Sequence, residues 1–181
     1  MLHEMIFAGF GGQGILSMGK LLAYAAMKEG REVSWMPSYG PEMRGGTANC
    51  MVNISDKEIS SPIVNAYDVV VALNLPSVKK FENMVKPGGI LIWESSTIKE
   101  APVRTDCKVV PLPAIEKAGT ELKNIKVMNM LVLGALVGLL PVVQKQSLLK
   151  ALEDTLPPRN HHLIPLNEQA IDLGISLVKN L

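Results

Sequence analysis

Hydrophobic and polar positions change period several times along the chain, and each change predicts an element. Residues 5–8 (Met-Ile-Phe-Ala) form a short apolar run ending at Gly9, the pattern of a buried parallel strand. From Gly14 to Glu29 the spacing becomes helical, with Ile15, Met18, Leu22 and Ala26 on one face. Gly19 and Ala23 keep part of that helix thin enough to lie close against a sheet, and Gly30 ends it. Residues 33–36 read as the next strand, so the opening is a βαβ unit. Residues 37–46 are a loop. Residues 47–54 then alternate, Ala48, Cys50, Val52 and Ile54 to one side and Thr47, Asn49, Met51 and Asn53 to the other. This predicts a half-buried strand that turns at Ser55-Asp56-Lys57 into a short partner at 58–60. A hairpin inside a βαβ chain implies a mixed sheet.

Residues 69–73 have no polar face and predict a central strand. Asn74-Leu75-Pro76-Ser77 has helix-start chemistry, with Phe81 and Val85 inward and Pro87-Gly88-Gly89 as the terminator. Strands follow at 90–93 and 108–110. Helices are expected over about 113–118, 124–140, 147–156 and 167–180, the last with Ala170, Leu173, Leu177 and Leu181 on one face. No internal repeat or linker divides the chain. The expected fold is one α/β domain over residues 1–181: three α/β/α layers, Rossmann-like, around a mostly parallel, mixed sheet, with a helical C-terminal part.

Composition narrows the function. A chain of 181 residues buries roughly 70% of its unfolded surface. With 48% hydrophobic and 19% charged residues, disorder and low complexity are excluded. A net charge of +1 gives no electrostatic attraction for nucleic acid or membrane, and 4% aromatics are too few for a base-stacking platform. Cys50 and Cys107 cannot supply the thiolates of a standard iron–sulfur cluster, and they fit a reducing cytoplasm. No secretion signal is read at the N-terminus. The uncharged run 127–144 carries a G-x-x-x-G pair at Gly134 and Gly138 but is interrupted by Pro141. It falls short of the roughly 20 residues of a membrane span, so it predicts a buried helix or subunit interface.

Gly9-Phe10-Gly11-Gly12-Gln13-Gly14 has G-x-G-x-x-G spacing between the first strand and its helix. Glycines there allow a tight turn and close backbone approach, and the free N–H groups of a helix start favour an anion. The alternative is a tight turn serving helix–sheet packing alone. A dinucleotide site also wants an acidic residue at the end of the second strand. Here that strand ends Trp35-Met36-Pro37-Ser38, and Glu29 and Glu32 lie at its other end. A methyltransferase, suggested by Lys86-Pro87-Gly88-Gly89-Ile90-Leu91, fails the same requirement.

The glycine loop is followed by Ser38-Tyr39-Gly40-Pro41-Glu42-Met43-Arg44-Gly45-Gly46-Thr47-Ala48, then by Ile59-Ser60-Ser61-Pro62, Ala72-Leu73-Asn74 and Pro87-Gly88-Gly89. Together these closely resemble the gamma subunit of 2-oxoacid:ferredoxin oxidoreductases, most like the 2-oxoglutarate branch. The resemblance implies a multisubunit enzyme that oxidatively decarboxylates a 2-oxoacid, forms its acyl-coenzyme A and passes electrons to ferredoxin. It places thiamine diphosphate and magnesium on alpha and beta subunits, and iron–sulfur clusters on beta or a ferredoxin-like delta subunit. The gamma subunit itself is implied to carry no cluster and to be inactive alone. It helps to hold coenzyme A and to assemble the complex, and in isolation is expected to self-associate.

By the same resemblance Gly9, Gly11, Gly12, Gln13 and Gly14 match the loop near coenzyme A, and Lys20 matches a lysine that follows it; Ile15-Leu16 replaces a more polar segment. Arg44 is a candidate for an anion, or a solvated side chain before a Gly45-Gly46 bulge. Asn74 ends a central strand, where open α/β sheets bind ligands, or only caps the next helix. No catalytic or metal-binding residue is expected: His161-His162 do not make a metal site, Cys50 reads as core and Cys107 has no nearby base. The rival readings are a free-standing coenzyme-binding module and an independent oxidoreductase.

Overall fold

The apolar run at 5–8 forms the middle of strand β1 (Leu2–Phe10), where Met5, Ile6, Phe7 and Ala8 are all buried. The computed structural model describes residues 1–39 and 47–181. Its elements are β1, α1 (Ile15–Lys28), β2 (Glu32–Tyr39), β3 (Thr47–Ser55), β4 (Tyr67–Ala72), α2 (Leu75–Phe81), β5 (Val85–Glu94), β6 (Lys108–Leu112), α3 (Ala114–Thr120), α4 (Met128–Leu139), α5 (Lys145–Thr155) and α6 (Ile164–Val178).

One six-stranded sheet runs β2-β3-β1-β4-β5-β6. β1, β4, β5 and β6 are mutually parallel, and β3 is antiparallel to both its neighbours. The period of two along each strand divides the interior. Met5, Phe7, Cys50, Val52, Val69, Val71, Ile92 and Val110 face a large core closed by α1, α3, α4, α5 and α6. Ile6, Ala8, Val70, Ala72, Leu91 and Trp93 face a smaller core closed by Val78 and Phe81 of α2 together with Tyr67 and Ile98. The three-layer, mixed architecture expected from the sequence is present, with unequal outer layers.

Several local expectations need correction. The first crossover does reach a strand parallel to β1, but β3 lies between β1 and β2, so the two are not neighbours. Residues 58–60 are not a strand; β3 pairs instead with β2 and β1, whose registers bring Val33 opposite Ile54 and Ile54 opposite His3. Pro87-Gly88-Gly89 lies within β5 rather than ending a helix. Gly88 adopts φ 77 and its N–H bonds to Asp106 beside a register shift, while α2 passes into a 3-10 turn at Glu82–Met84. In α6 the buried face is Ala170, Ile171, Gly174 and Val178; Leu173 and Leu177 are half-buried and Leu181 is exposed.

That face is set by glycine. A Cβ on Gly134 of α4 would strike the carbonyl oxygen of Ile171, and one on Gly174 would strike that of Leu131. The two helices therefore cross with backbones in contact, possible only where both carry glycine. Among the described residues no helix is long and apolar enough to cross a membrane. Most of the charge-free run at 127–144 forms α4, which packs against α6 and α3, while Gly138, Pro141 and Gln144 are exposed.

Candidate functional site

The chain leaves β1 for α1 on one face of the sheet, and leaves β4 for α2 on the other. Between the carboxyl ends of β1 and β4 the connections diverge and open a crevice, the place where open α/β sheets bind ligands. It measures about 480 Å³. Phe10, Gln13, Leu73, Asn74, Thr97 and Ile98 line it, with Lys99 and Glu100 at the same wall.

The glycine loop forms one rim. Phe10 to Gln13 is a tight turn closed by the Gln13 N–H on the Phe10 carbonyl at 3.2 Å. The Gln13 side chain folds back: its Oε1 accepts from the Phe10 N–H at 2.6 Å and its Nε2 donates to the Leu73 carbonyl at 3.1 Å. Gly9 makes room for this, since a Cβ there would stand 2.5 Å from Gln13 Oε1. Gly14 then enters α1 with φ 74, a left-handed conformation that disfavours any side chain. Gly11 and Gly12 are exposed at the tip, and no side chain caps α1. Gln13 is thus a brace rather than a free polar group.

Of the two readings of Asn74, the cap is the one visible in the hydrogen bonds. The residue caps α2, Oδ1 accepting from the Ser77 N–H at 2.8 Å, which fixes the amide orientation. The side chain is 3% exposed, and its Nδ2 has no hydrogen-bond partner. A buried amide donor left unpaired costs about 1–3 kcal/mol.

The opposite wall depends on a residue that motif reading passed over. Glu94, at the carboxyl end of β5, is fully buried. Its Oε1 accepts from the Ser96 hydroxyl and from the Ile115 N–H at 3.2 Å, and its Oε2 accepts from the Thr97 hydroxyl and from the Thr97 N–H at 2.8 Å. Burial pushes the Glu94 carboxyl up, but the Ser96 and Thr97 hydroxyls and the backbone donors outweigh it and hold the pKa below its ordinary value. The only sequence signal was an acid followed at once by Ser95-Ser96-Thr97.

Lys20 does not reach this crevice. With Ser17 and Leu21 it lines a second cavity of about 500 Å³, shared with Asn124, Lys126 and Asn129. Its ammonium lies 5.6 Å from the centre of the Tyr24 ring. Lys28, Lys86 and Lys145 are tied to carboxylates, whereas Lys20 and Lys126 have no ion pair among the described residues. The two cavities flank the glycine loop. Gln13 lines the crevice, and the next residue, Gly14, packs so tightly on Asn129 that a Cβ would come within 2.5 Å of its amide nitrogen.

Arg44 lies outside the described residues. Glu32 pairs with Ser55 at the far end of the sheet from the loop, so it does not serve as the acidic ribose contact of a dinucleotide site. The His161 and His162 rings bond to the carbonyls of Leu156 and Arg159. Among the described residues no cluster of three or more His, Cys, Asp or Glu is placed to hold a metal.

Comparison with known proteins places this geometry. The family model described as pyruvate ferredoxin/flavodoxin oxidoreductase matches residues 4–177. The ketoisovalerate oxidoreductase subunit VorA of Methanothermobacter thermautotrophicus is 40% identical over 169 residues, covering 92% of this chain. This chain spans only 34% of that relative's length. A keto/oxoacid ferredoxin oxidoreductase gamma subunit from Geobacter sulfurreducens superposes with TM-score 0.85 at 29% identity, over 97% of this chain and 95% of the other. A 2-oxoglutarate:ferredoxin oxidoreductase from Magnetococcus marinus, solved with 2-oxoglutarate, coenzyme A and succinyl-CoA bound, gives TM-score 0.90 at 26% identity, over 99% of this chain and 31% of that one.

Proposed function

Because this chain belongs to the pyruvate ferredoxin/flavodoxin oxidoreductase family, we propose that it is the gamma component of a multisubunit 2-oxoacid:ferredoxin oxidoreductase. The assembled enzyme oxidatively decarboxylates a 2-oxoacid, transfers the acyl group to coenzyme A and delivers the electrons to ferredoxin. Thiamine diphosphate, magnesium and the iron–sulfur clusters belong to alpha, beta and delta-type partners. This chain's own task is to hold coenzyme A and complete the assembly. Of the 2-oxoacids, the Tyr39-Gly40-Pro41-Glu42-Met43-Arg44-Gly45-Gly46 string favours 2-oxoglutarate. The complex is assigned to the cytoplasm, where unpaired Cys50 and Cys107 stay reduced.

The observation that carries the coenzyme reading is the position of the glycine loop between a cavity with two unpaired lysines and a crevice with an unpaired amide. Coenzyme A is a long ligand, anionic at one end and a neutral amide chain at the other. Backbone N–H groups at Gly11, Gly12 and the start of α1 suit its phosphates, with the Lys20 ammonium alongside. The relative solved with coenzyme A bound supports this assignment. Hydrogen–deuterium exchange on the purified complex tests it. Coenzyme A should slow exchange at residues 9–18 and 73–77 of this chain; unchanged exchange at both would remove the ligand from this subunit.

A further inference from the structure

We infer that the groove between α1, α4, α5 and α6, together with the outer stripe of α1 that continues it, seats a segment of a companion subunit whose carboxylates are flanked by apolar side chains. The inference rests on the subunit reading, not on the coenzyme one: it claims Lys126 and leaves Lys20 to the coenzyme phosphates.

The groove holds about 500 Å³. Leu21, Val127, Met130, Leu152, Leu156 and Leu163 give it an apolar floor, and no carboxylate lines it. The apolar surface runs on past the rim. Ser17 and Lys20 belong to a stripe of α1 that continues to Tyr24 and Met27, at the i, i+3, i+7, i+10 spacing of one helix face. Tyr24 is 42% and Met27 61% exposed, and Ile125, between the lining residues Asn124 and Lys126, is 57% exposed. The outward face of a surface helix is ordinarily polar, whereas exposed tyrosine and methionine are what protein interfaces collect. The stripe from Ser17 to Met27 is about 15 Å long, the reach of a peptide segment.

Charge selects the occupant. Lys123 and Lys126 flank Ile125, and Arg159 lies on the turn between the lining residues Leu156 and Leu163; none of the three has an ion pair among the described residues. The acids of the same elements are largely spent: Glu121 is tied to Lys117, Asp154 to Lys28 and Glu168 to Lys145, leaving Glu153 unpaired. Unpaired cations around an apolar floor match a segment in which acids alternate with apolar residues.

The family supplies the need for such a face. The same domain makes up 31% and 34% of two longer chains and nearly the whole of a third. On a separate chain, contacts made within one polypeptide in the longer relatives have to be made between subunits.

The test uses the complex purified through a tag on this chain. Lys126→Glu and Met27→Asp, both at exposed positions, should each retain about 10-fold less companion subunit than wild type after a wash at fixed salt. Lys126→Gln should lose less than Lys126→Glu, and Lys80→Glu, on α2 across the sheet, should lose none. Unchanged melting temperatures would show that the variants are folded. A water-soluble carbodiimide, which joins an amine to a carboxylate in contact with it, should link Lys126 or Lys123 to an Asp or Glu of a companion, and mass spectrometry then identifies the segment. If Lys126→Glu and Met27→Asp keep their companions as wild type does, the inference falls and the subunit reading stands. A link from Lys126 to a second copy of this chain would likewise overturn it. If the wild-type chain brings no companions at all, both readings fall.

Discussion

Gln13 and Leu73 tie the carboxyl ends of β1 and β4 together, the Gln13 amide donating to the Leu73 carbonyl at 3.1 Å while accepting from Phe10. The glycine loop is therefore held in shape from within, by a side chain that the motif at residues 9–14 does not by itself reveal as structural. Gln13→Ala strands the Phe10 N–H and the Leu73 carbonyl. It should lower stability by about 0.5–1.5 kcal/mol in chemical denaturation and raise the KM for coenzyme A, with kcat little changed.

The crossing of α4 and α6 predicts a contrast between glycines. Gly174→Ala drives a methyl into the backbone of Leu131 and should destabilise by about 1–3 kcal/mol or more, as overpacking does. Gly119→Ala, whose Cβ would meet only Ile125 at 3.5 Å, should be neutral or slightly stabilising as a helix substitution. Urea midpoints of the two variants check both.

Glu94 links the crevice wall to pH. Its folded pKa is depressed, so its contribution is fully present above the unfolded carboxylate value of about 4.3 and disappears as pH falls through the lower folded value. Glu94→Gln removes an acceptor from Thr97 or from Ser96 and Ile115, and should destabilise by about 1–3 kcal/mol at neutral pH. Melting temperatures of the two proteins, measured from pH 7 to pH 3, should converge on acidification. A gap that stays constant would show that the carboxylate charge is not what the site uses.

Cys50 is predicted to be inert while the chain is folded. It is fully buried on β3, and burial pushes its thiol up to about 12 despite hydrogen bonding. Mass spectrometry after alkylation at pH 8 should find Cys50 modified only once denaturant has unfolded the chain.

The sequence made the strand–glycine loop–helix opening legible because buried strands and amphipathic helices differ in period, and the apolar runs at 5–8 and 69–73 are the centre of the sheet. What it hid is non-local. The alternation at 47–54 shows that one face is buried, but not that β3 inserts between β1 and β2, since pairing partners leave no mark on a strand's own period. Pro87-Gly88-Gly89 has the same composition whether it ends a helix or kinks a strand. Ala170, Leu173 and Leu177 of α6 do pack against the core, but the close helix contact is made by Gly174, which hydrophobic spacing does not count. Lys20 was grouped with the loop by its nearness in sequence. The turn of α1 carries it to the neighbouring cavity instead. Glu94 offered no motif, since its role comes from donors at 96, 97 and 115 that only the fold gathers.

The central claim is that this chain works as one component of a larger 2-oxoacid oxidoreductase, and purification from its own cells tests it most directly. The chain, tagged at its C-terminus, would be isolated anaerobically, its companions identified by mass spectrometry, and the preparation assayed for ferredoxin reduction. The account predicts thiamine-binding and ferredoxin-like subunits in fixed stoichiometry, with reduction that requires both a 2-oxoacid and coenzyme A. Recovery of the correctly folded chain by itself, with the tag intact and no such activity, would contradict it.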